Sequence, residues 1–252
     1  MNNEYRMQTE PFSRTISLIG EDAFARIHRA HVAVFGVGGV GGFVCEALAR
    51  SGIAEIDLFD RDDVSISNLN RQVIALHSTI GRDKVDVMAE RLADINPDLR
   101  VNRKKMFYLP ETADEVDLSA YDFVVDAVDT VAAKLELAMR CEKLGVPLIS
   151  AMGAGNKLDP SCLRIDDITK TSVCPLARAM RQMCRKKGIR HLTVAYSVEP
   201  PHVPVSPIAQ EDGLRKDVPG SMMFVPGAMG LLIASYIIRT LMDGDAKARP
   251  EA

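Results

Sequence analysis

Charged and amide side chains that could bind a polyphosphate are concentrated in one short stretch of the chain. Asn68 and Arg71 follow closely behind two aspartates, Asp60 and Asp62, and Lys84 stands on the first turn of a predicted helix. Arginine suits planar contacts to phosphate oxygens, whereas lysine supplies a point charge. Cations of this kind neutralise a triphosphate, so the stretch predicts nucleotidyl transfer.

A glycine-rich loop precedes this stretch and contains Gly36, Gly38, Gly39 and Gly41. It follows an apolar run and opens a helix, which is the context that the G-x-G-x-x-G signature requires. Glycine lets backbone N–H groups approach phosphate oxygens, and the helix N-terminus behind the loop favours an anion. Asp60 follows the last residue of the next predicted strand, where it can accept hydrogen bonds from ribose hydroxyls. The loop indicates a nucleotide without separating NAD from ATP, and a turn needed only for packing is the alternative.

Two further aspartates, Asp126 and Asp129, end a strongly apolar run on the same predicted sheet edge. Mg²⁺ is usually bound by one or two carboxylates together with phosphates, so a carboxylate at this edge could hold the ion. Asp129, Arg71 and Lys84 form the candidate catalytic set. The alternatives are that Asp129 only caps the helix beginning at Val131, and that Arg71 and Lys84 are ordinary solvated charges.

Strands that alternate with helices are predicted to position these side chains. The predicted strands are 31–37, 55–59, 99–107, 123–128, 146–151, 163–168 and 191–198. The predicted helices are 39–51, 81–96, 131–144, 175–187 and 222–242, and 200–219 is predicted to be a loop. This alternation implies right-handed crossovers and ligands at the carboxyl ends of the strands. We expect an α/β fold: a Rossmann-like, doubly wound, mainly parallel sheet with an irregular α+β C-terminal extension.

The length and composition favour one soluble domain. The chain has 252 residues, and 31 Lys+Arg against 34 Asp+Glu give a net charge of −3, which excludes a strongly basic nucleic-acid tail. We expect a single domain over 1–252, with a core of about 10–155 and an extension of about 156–252. The N-terminus lacks the apolar run of a signal peptide, so a cytoplasmic protein is expected. The apolar segment 222–242 is interpreted as a core helix rather than a membrane span.

Five cysteines are present without any C-x-x-C spacing, which argues against a disulfide scaffold and a four-cysteine zinc site. Cys174 is the best candidate if a reactive thiol is needed, since it lies near basic residues. A basic cluster on a predicted helix could track the phosphates of a nucleic acid, or it is a solvated face. Its members are Arg178, Arg181, Arg185, Lys186 and Lys187.

Together the motifs resemble the ThiF/MoeB/HesA family, bacterial relatives of ubiquitin-activating enzymes. The matching pieces are G-V-G-G-V-G at 36–41, D-x-D-x-V-x-x-S-N-L-x-R-Q at 60–72, G-x-x-K at 81–84 and D-A-V-D at 126–129. The resemblance implies a homodimer that binds ATP and Mg²⁺ and adenylates a carboxylate. It implies that Arg14 reaches into the partner subunit's site, that Asp129 holds magnesium and that Asp60 holds the ribose. The further nucleotide-binding residues that it implies are Asp62, Asn68, Arg71, Gln72 and Lys84.

Stretches in the second half are similar to a narrower group, the tRNA threonylcarbamoyladenosine dehydratases. They are A-G-N-K-L-D-P at 154–160, D-I-T-K-T at 167–171 and C-P-L-A at 174–177, with further matches at I-N-P (95–97) and P-G-S (219–221). This similarity implies ATP-dependent cyclisation of the modified adenosine in tRNA, with a cysteine desulfurase or sulfur-acceptor protein as a candidate helper.

Three other functions compete with this one. An adenylyltransferase acting on the C-terminal Gly-Gly of a sulfur-carrier protein typically has two C-x-x-C zinc pairs, which are absent here, so no zinc is expected. An inactive scaffold would not need the charged set. An NAD dehydrogenase would leave residues 62–72 unexplained.

Overall fold

Seven strands form one open sheet in the computed structural model, which describes residues 10–206 and 219–244. They are β1 (His31–Phe35), β2 (Glu55–Phe59), β3 (Arg100–Lys104), β4 (Phe123–Asp126), β5 (Leu148–Ala151), β6 (Leu163–Asp167) and β7 (Thr193–Ser197). The strand order is β3-β2-β1-β4-β5-β7-β6, and every neighbouring pair is parallel except β6 with β7. The predicted α/β fold with a mainly parallel sheet is confirmed.

Seven α-helices accompany the sheet in the described part of the chain. They are α1 (Ser13–Ile19), α2 (Glu21–Ile27), α3 (Gly41–Arg50), α4 (Lys84–Ile95), α5 (Val131–Leu144), α6 (Pro175–Lys187) and α7 (Phe224–Asp243). All the predicted helices are present, whereas α1 and α2 had not been predicted. The predicted loop 200–219 lies largely outside the described residues.

Both faces of the central strands are buried, which explains their continuous apolar sequences. Side chains alternate across a strand, so Val32 and Val34 of β1 join the core beneath α3, α4 and α7. Ala33 and Phe35 join a second core against α5 on the other face. The order reverses between β1 and β4, and their carboxyl ends therefore flank the crevice where this kind of sheet binds ligands.

The prediction of a strand over 99–107 was wrong at its end, because β3 stops at Lys104. This strand lies at the sheet edge, where its charged residues are exposed. The chain then turns, and Met106, Phe107 and Tyr108 line the cavity described below.

Helix α7 is the one helix of the described residues that is long and apolar enough to cross a membrane, with a mean hydropathy of 1.5. Half of its most apolar window is buried within the protein. It packs closely on α3, because a Cβ at Gly230 would lie 2.5 Å from the Val40 carbonyl oxygen. This packing favours the interpretation as a core helix.

Candidate active site

The glycine-rich loop joins β1 to α3, and two of its glycines serve packing. Gly36 has a φ of 89°, and a Cβ there would lie 2.7 Å from the Ala127 carbonyl oxygen. A Cβ at Gly41 would lie 1.8 Å from the Gly36 carbonyl oxygen. Gly41 was predicted to bind the nucleotide, but it does not line the cavity. It allows the helix to begin against the loop.

The other part of the loop offers free hydrogen-bond donors to the cavity. Gly38, Gly39 and Val40 line it, and no acceptor among the described residues takes their backbone N–H groups. A Cβ at Gly38 would still be 3.8 Å from the nearest side-chain atom, so this wall has space in front of it. Unpaired N–H groups at a helix N-terminus form an anion site.

Asp60, at the end of β2, is held beside the loop by two backbone donors. The N–H of Val37 donates to one carboxylate oxygen at 2.7 Å, and the N–H of Asp62 donates to the other at 2.9 Å. Burial raises the pKa of Asp60 above its ordinary value, although Lys84 and these hydrogen bonds oppose the rise. The carboxylate is thus fixed in direction and keeps lone pairs for further donors, as ribose hydroxyls require.

The two predicted phosphate-binding cations lie along the same cavity. Lys84 is only 6% exposed, and its Nζ lies 2.9 Å from a carboxylate oxygen of Asp62. The guanidinium of Arg71 donates to the carbonyl of Ser67 at 2.8 Å and to Oδ1 of Asn70 at 3.1 Å. Both cations are held in place and still line the cavity.

The two predicted amides have different environments. Asn68 accepts the N–H of Ser65 at 3.1 Å, in a capping box that orders the short helical turn Ile66–Asn68. Its side chain therefore helps to build the loop. The side-chain oxygen of Gln72 is buried and has no partner among the described residues. A buried unpaired acceptor costs free energy unless a ligand supplies a donor.

Asp126, which ends β4, and Asp129 in the loop after it have separate roles. Asp129 is exposed and lines the cavity, and its side chain accepts the hydroxyl of Thr130 at 3.3 Å. Asp126 was expected at the same edge, but it is fully buried. It pairs with Nζ of Lys134 at 3.0 Å and accepts the hydroxyl of Ser150. Asp126 therefore belongs to the core beneath the cavity floor.

The cavity itself has a volume of about 1060 Å³ and extends from β3 across β1 to the loop after β5. Sequence reasoning missed its far walls. Arg61 stacks over the Phe107 ring at 4.2 Å at the β3 side, while Ala154 and Gly155 line the β5 side. An aromatic residue just after a surface strand was the available signal for the first wall.

Two predicted functional residues lie away from the cavity. Arg14 is exposed on α1 and does not line it. Within one chain it therefore does not complete the site. Cys174 is 2% exposed at the start of α6, so the accessible thiol that a thioester mechanism needs is not presented there.

The predicted basic cluster lies on α6. Arg178, Arg185, Lys186 and Lys187 are exposed. Arg181 differs, because its guanidinium donates to the carbonyl and hydroxyl of Thr171 at 2.7 and 2.6 Å. Arg181 therefore anchors the loop before α6, and the exposed basic face consists of the other four.

One group of described residues, His31, Glu55 and Asp57, has the spacing of a metal site and lies toward the amino ends of β1 and β2, away from the cavity. Its atoms already pair with one another and with neighbours. His31 Nε2 lies 2.7 Å from Asp57, which also accepts Asn102 at 2.7 Å and the Tyr121 hydroxyl at 2.9 Å. These bonds lower the pKa of Asp57 despite its burial. The group is a hydrogen-bonded network that ties β1, β2 and β3 together.

The doubly wound sheet carries a glycine loop with free N–H groups, an acid after β2 and two cations around one cavity. This arrangement defines a nucleotide-binding protein. Comparisons with known proteins agree with this class. The ThiF family model matches residues 12–251, and the chain belongs to the ThiF family.

Two known proteins, one of them represented by two solved structures, are similar to the chain over almost its whole length. The tRNA threonylcarbamoyladenosine dehydratase of Bacillus subtilis is 44% identical over 245 residues, covering 92% of this chain and 94% of that protein. The Escherichia coli enzyme TcdA in complex with AMP has a TM-score of 0.86 and 32% identity, with 98% of both chains covered. Its ATP complex has a TM-score of 0.84 and 32% identity, with coverage of 97% and 98%.

Proposed function

We propose that this chain catalyses the ATP-dependent dehydration of threonylcarbamoyladenosine in tRNA, through adenylation of the substrate carboxylate. The observation that carries the proposal is the set of free N–H groups at Gly38, Gly39 and Val40, which line one cavity with Arg71 and Lys84. The substrate class comes from the similarity to the Bacillus subtilis dehydratase over 92% of the chain.

The proposed reaction has two steps whose atoms balance. A carboxylate oxygen of the substrate bonds to the α-phosphorus of ATP, and pyrophosphate leaves with the electrons of the broken P–O bond. The carbamoyl nitrogen then bonds to the activated carbonyl carbon, AMP leaves, and the nitrogen loses its proton. The net change in the nucleoside is the loss of one water, while ATP becomes AMP and pyrophosphate.

The residues assist mainly by binding charge and orienting the reactants. The free N–H groups and Lys84 bind phosphate oxygens, and Arg71 stabilises the negative charge that develops on pyrophosphate as it leaves. Asp60 accepts the ribose hydroxyls. The attacking groups both belong to the substrate, so no nucleophilic side chain is needed, which agrees with the burial of Cys174.

One residue of the cavity lining, Asp129, could be a ligand for Mg²⁺. Asp129 places an exposed carboxylate on the cavity wall, which is the donor that Mg²⁺ uses together with phosphates. When bound there, the ion would neutralise phosphate charge.

The remaining parts of the proposal concern the assembly and the RNA. The exposed basic residues of α6 would contact tRNA phosphates, and a homodimer would bring Arg14 to the partner's cavity. The chain would act in the cytoplasm as a single domain, which its one continuous sheet supports. A cysteine desulfurase or sulfur-acceptor protein would be the helper.

Pyrophosphate release tests the proposal. Wild-type protein with Mg-ATP should release pyrophosphate with tRNA carrying threonylcarbamoyladenosine, and at least tenfold more slowly with the same tRNA lacking that group. Arg71→Ala should lose this activity, whereas Arg164→Ala, a substitution of an arginine outside the cavity lining, should retain it. Equal release with both tRNAs would contradict the proposal, and stimulation by a Gly-Gly protein instead would indicate a sulfur-carrier substrate.

A further inference from the structure

A short segment of the chain, residues 219–221, crosses the rim of the cavity just before α7. All three of its residues line the cavity. Its backbone is hydrogen-bonded to two asparagines from separate loops, Asn70 and Asn156. We call residues 219–221 the rim segment.

Asn70 joins the rim segment to the catalytic arginine. Its amide NH₂ donates to the carbonyl of Ser221 at 2.8 Å, and its Oδ1 accepts the guanidinium of Arg71 at 3.1 Å. An asparagine amide has donors on one atom and lone pairs on the other, so one side chain can make both bonds. The same guanidinium nitrogen of Arg71 also donates to the carbonyl of Ser67 at 2.8 Å.

Asn156 holds the same segment from the β5 side. Its N–H donates to the carbonyl of Gly220 at 2.7 Å, and its Oδ1 accepts the N–H of Gly220 at 2.7 Å. Asn156 has a φ of 58°, a left-handed conformation that asparagine tolerates better than most residues. Next to it, a Cβ at Gly155 would lie 2.7 Å from Cβ of Pro219, so only glycine allows this approach.

The order of the strands indicates which part of the reactants lies next to the rim segment. Asp60 at the end of β2 marks the ribose side, and the glycine loop after β1 marks the phosphates. The loop after β5, with Ala154 and Gly155, lies on the other side of β4. The rim segment therefore contacts the β5 side of the cavity through Asn156, and in the proposed function the carboxylate approaches the α-phosphorus from this side, away from the ribose.

We propose that Asn70 is a positioning residue that aligns Arg71 for pyrophosphate departure when the rim segment is held against Asn156. This proposal rests on the proposed function, in which Arg71 contacts the phosphates. It couples the side of the cavity that receives the carboxylate to the cation that acts on the leaving group. It predicts that the link affects turnover more than ATP binding, because the glycine loop and Lys84 do not depend on it.

The first test compares kcat and the KM for ATP in pyrophosphate release with modified tRNA. Asn70→Ala removes both bonds and should lower kcat about 10- to 100-fold, the range for one hydrogen bond to a charged group. The KM for ATP should stay within about threefold. Asn102→Ala is the matched control, because it removes asparagine bonds to Glu55 and Asp57, which do not line the cavity, and should leave kcat unchanged.

The second test acts from the far side of the rim segment. Asn156→Gly keeps the left-handed backbone but removes the side-chain bond to Gly220, and it should lower kcat at least threefold. Asn156→Asp keeps the acceptor oxygen and should restore kcat to within about twofold of wild type. The double variant Asn70→Ala/Asn156→Gly should be little slower than Asn70→Ala alone, because the two residues act through one segment.

Amide hydrogen exchange separates this proposal from the proposed function, since it needs no tRNA. Peptides containing residues 219–221 should exchange faster in Asn70→Ala than in wild type or Asn102→Ala. If wild type does not act on the modified tRNA, the proposed function fails while this exchange still tests the link. An unchanged kcat in Asn70→Ala, unchanged exchange, or purely additive losses in the double variant would each overturn the positioning role.

Discussion

Replacing two glycines of one loop should separate ATP binding from folding. A Cβ at Gly38 meets nothing closer than Gln72 Nε2 at 3.8 Å, and the backbone there has no left-handed φ. Gly38→Ala should therefore change the free energy of unfolding by less than about 1 kcal/mol. Its methyl group, however, enters the space in front of the free N–H groups. ATP affinity should fall at least about tenfold, or ~1.4 kcal/mol.

Gly36→Ala should have the opposite effect and lower stability rather than ATP affinity. The φ of 89° is unfavourable for alanine by ~1–2 kcal/mol, and the new methyl would lie 2.7 Å from the Ala127 carbonyl oxygen. The free energy of unfolding should fall by at least about 2 kcal/mol, which lowers Tm by ~4–8 °C in a domain of this size. Differential scanning fluorimetry measures Tm, and calorimetric titration with an ATP analogue measures affinity.

Two results would refute these roles of Gly38 and Gly36. Gly38→Ala that binds ATP like wild type would show that the N–H groups of Gly38, Gly39 and Val40 do not receive the phosphates. Gly36→Ala with a wild-type Tm would show that the close approach to Ala127 is not required for folding. Gly20→Ala is a control with a comparable φ of 83° but no atom within 4 Å, so it should lower Tm by strain alone.

Four other perturbations test separate parts of the site. Lys84→Met should lower kcat/KM for ATP ~100-fold, because it removes a cation from the charge that develops on the phosphates. Tm should change little, since the partner Asp62 is largely exposed. A retained kcat/KM would contradict the role of Lys84. ATP affinity should be constant at high pH and fall as pH decreases through the raised pKa of Asp60, because the protonated carboxyl has one acceptor fewer for the ribose hydroxyls. Asp60→Asn should remove this pH dependence when ATP affinity is measured over a series of pH values. Lys134→Met should lower the free energy of unfolding by ~3–5 kcal/mol, because Asp126 is left buried without its cation. The double variant Lys134→Met/Asp126→Asn should recover most of this loss in urea melts. Equal losses in the single and the double variant would refute the pairing. Serine substitutions at the exposed basic residues of α6 should weaken tRNA binding and reduce the slope of log K against log salt by ~0.7–0.9 for each phosphate that is no longer neutralised, whereas an unchanged slope would place the RNA elsewhere.

The sheet and the main helices could be predicted because each depends on local patterns. Buried parallel strands such as His31–Phe35 and Phe123–Asp126 have continuous apolar sequences, and α5 ends at Gly145, which adopts a left-handed conformation. The helices α1 and α2 were missed because each has only seven residues, and α1 buries none of its side chains fully. Short helices of this kind are stabilised by packing rather than by their own sequence.

The phosphate side of the site could be predicted because its residues are close in sequence. Gly38, Asp60, Arg71 and Lys84 lie between the loop after β1 and the first residue of α4, so a linear motif contains most of the geometry. The burial of Asp126 could not be read in this way, since its partners Lys134 and Ser150 come from a helix and another strand. A carboxylate at a strand end looks the same in sequence whether it faces solvent or a buried ammonium group.

The sequence resemblance included the rim segment, but its contact with Asn70 was not predicted, and neither was the β3 wall, for the same physical reason. Asn70 and Ser221 are 151 positions apart, and Ser221 lies just before α7, which packs on α3. Phe107 joins the cavity because the edge strand ends earlier than expected, at Lys104. Pairings between distant residues depend on tertiary packing, which local propensity does not describe.

Mass spectrometry of nucleosides tests the central claim most directly. tRNA carrying threonylcarbamoyladenosine would be incubated with the protein and Mg-ATP, digested and analysed, with a sample lacking ATP and an Arg71→Ala sample as controls. We expect a nucleoside lighter by one water that appears only with wild-type protein and ATP. An unchanged nucleoside, in a preparation shown to bind ATP, would contradict the proposed dehydratase activity.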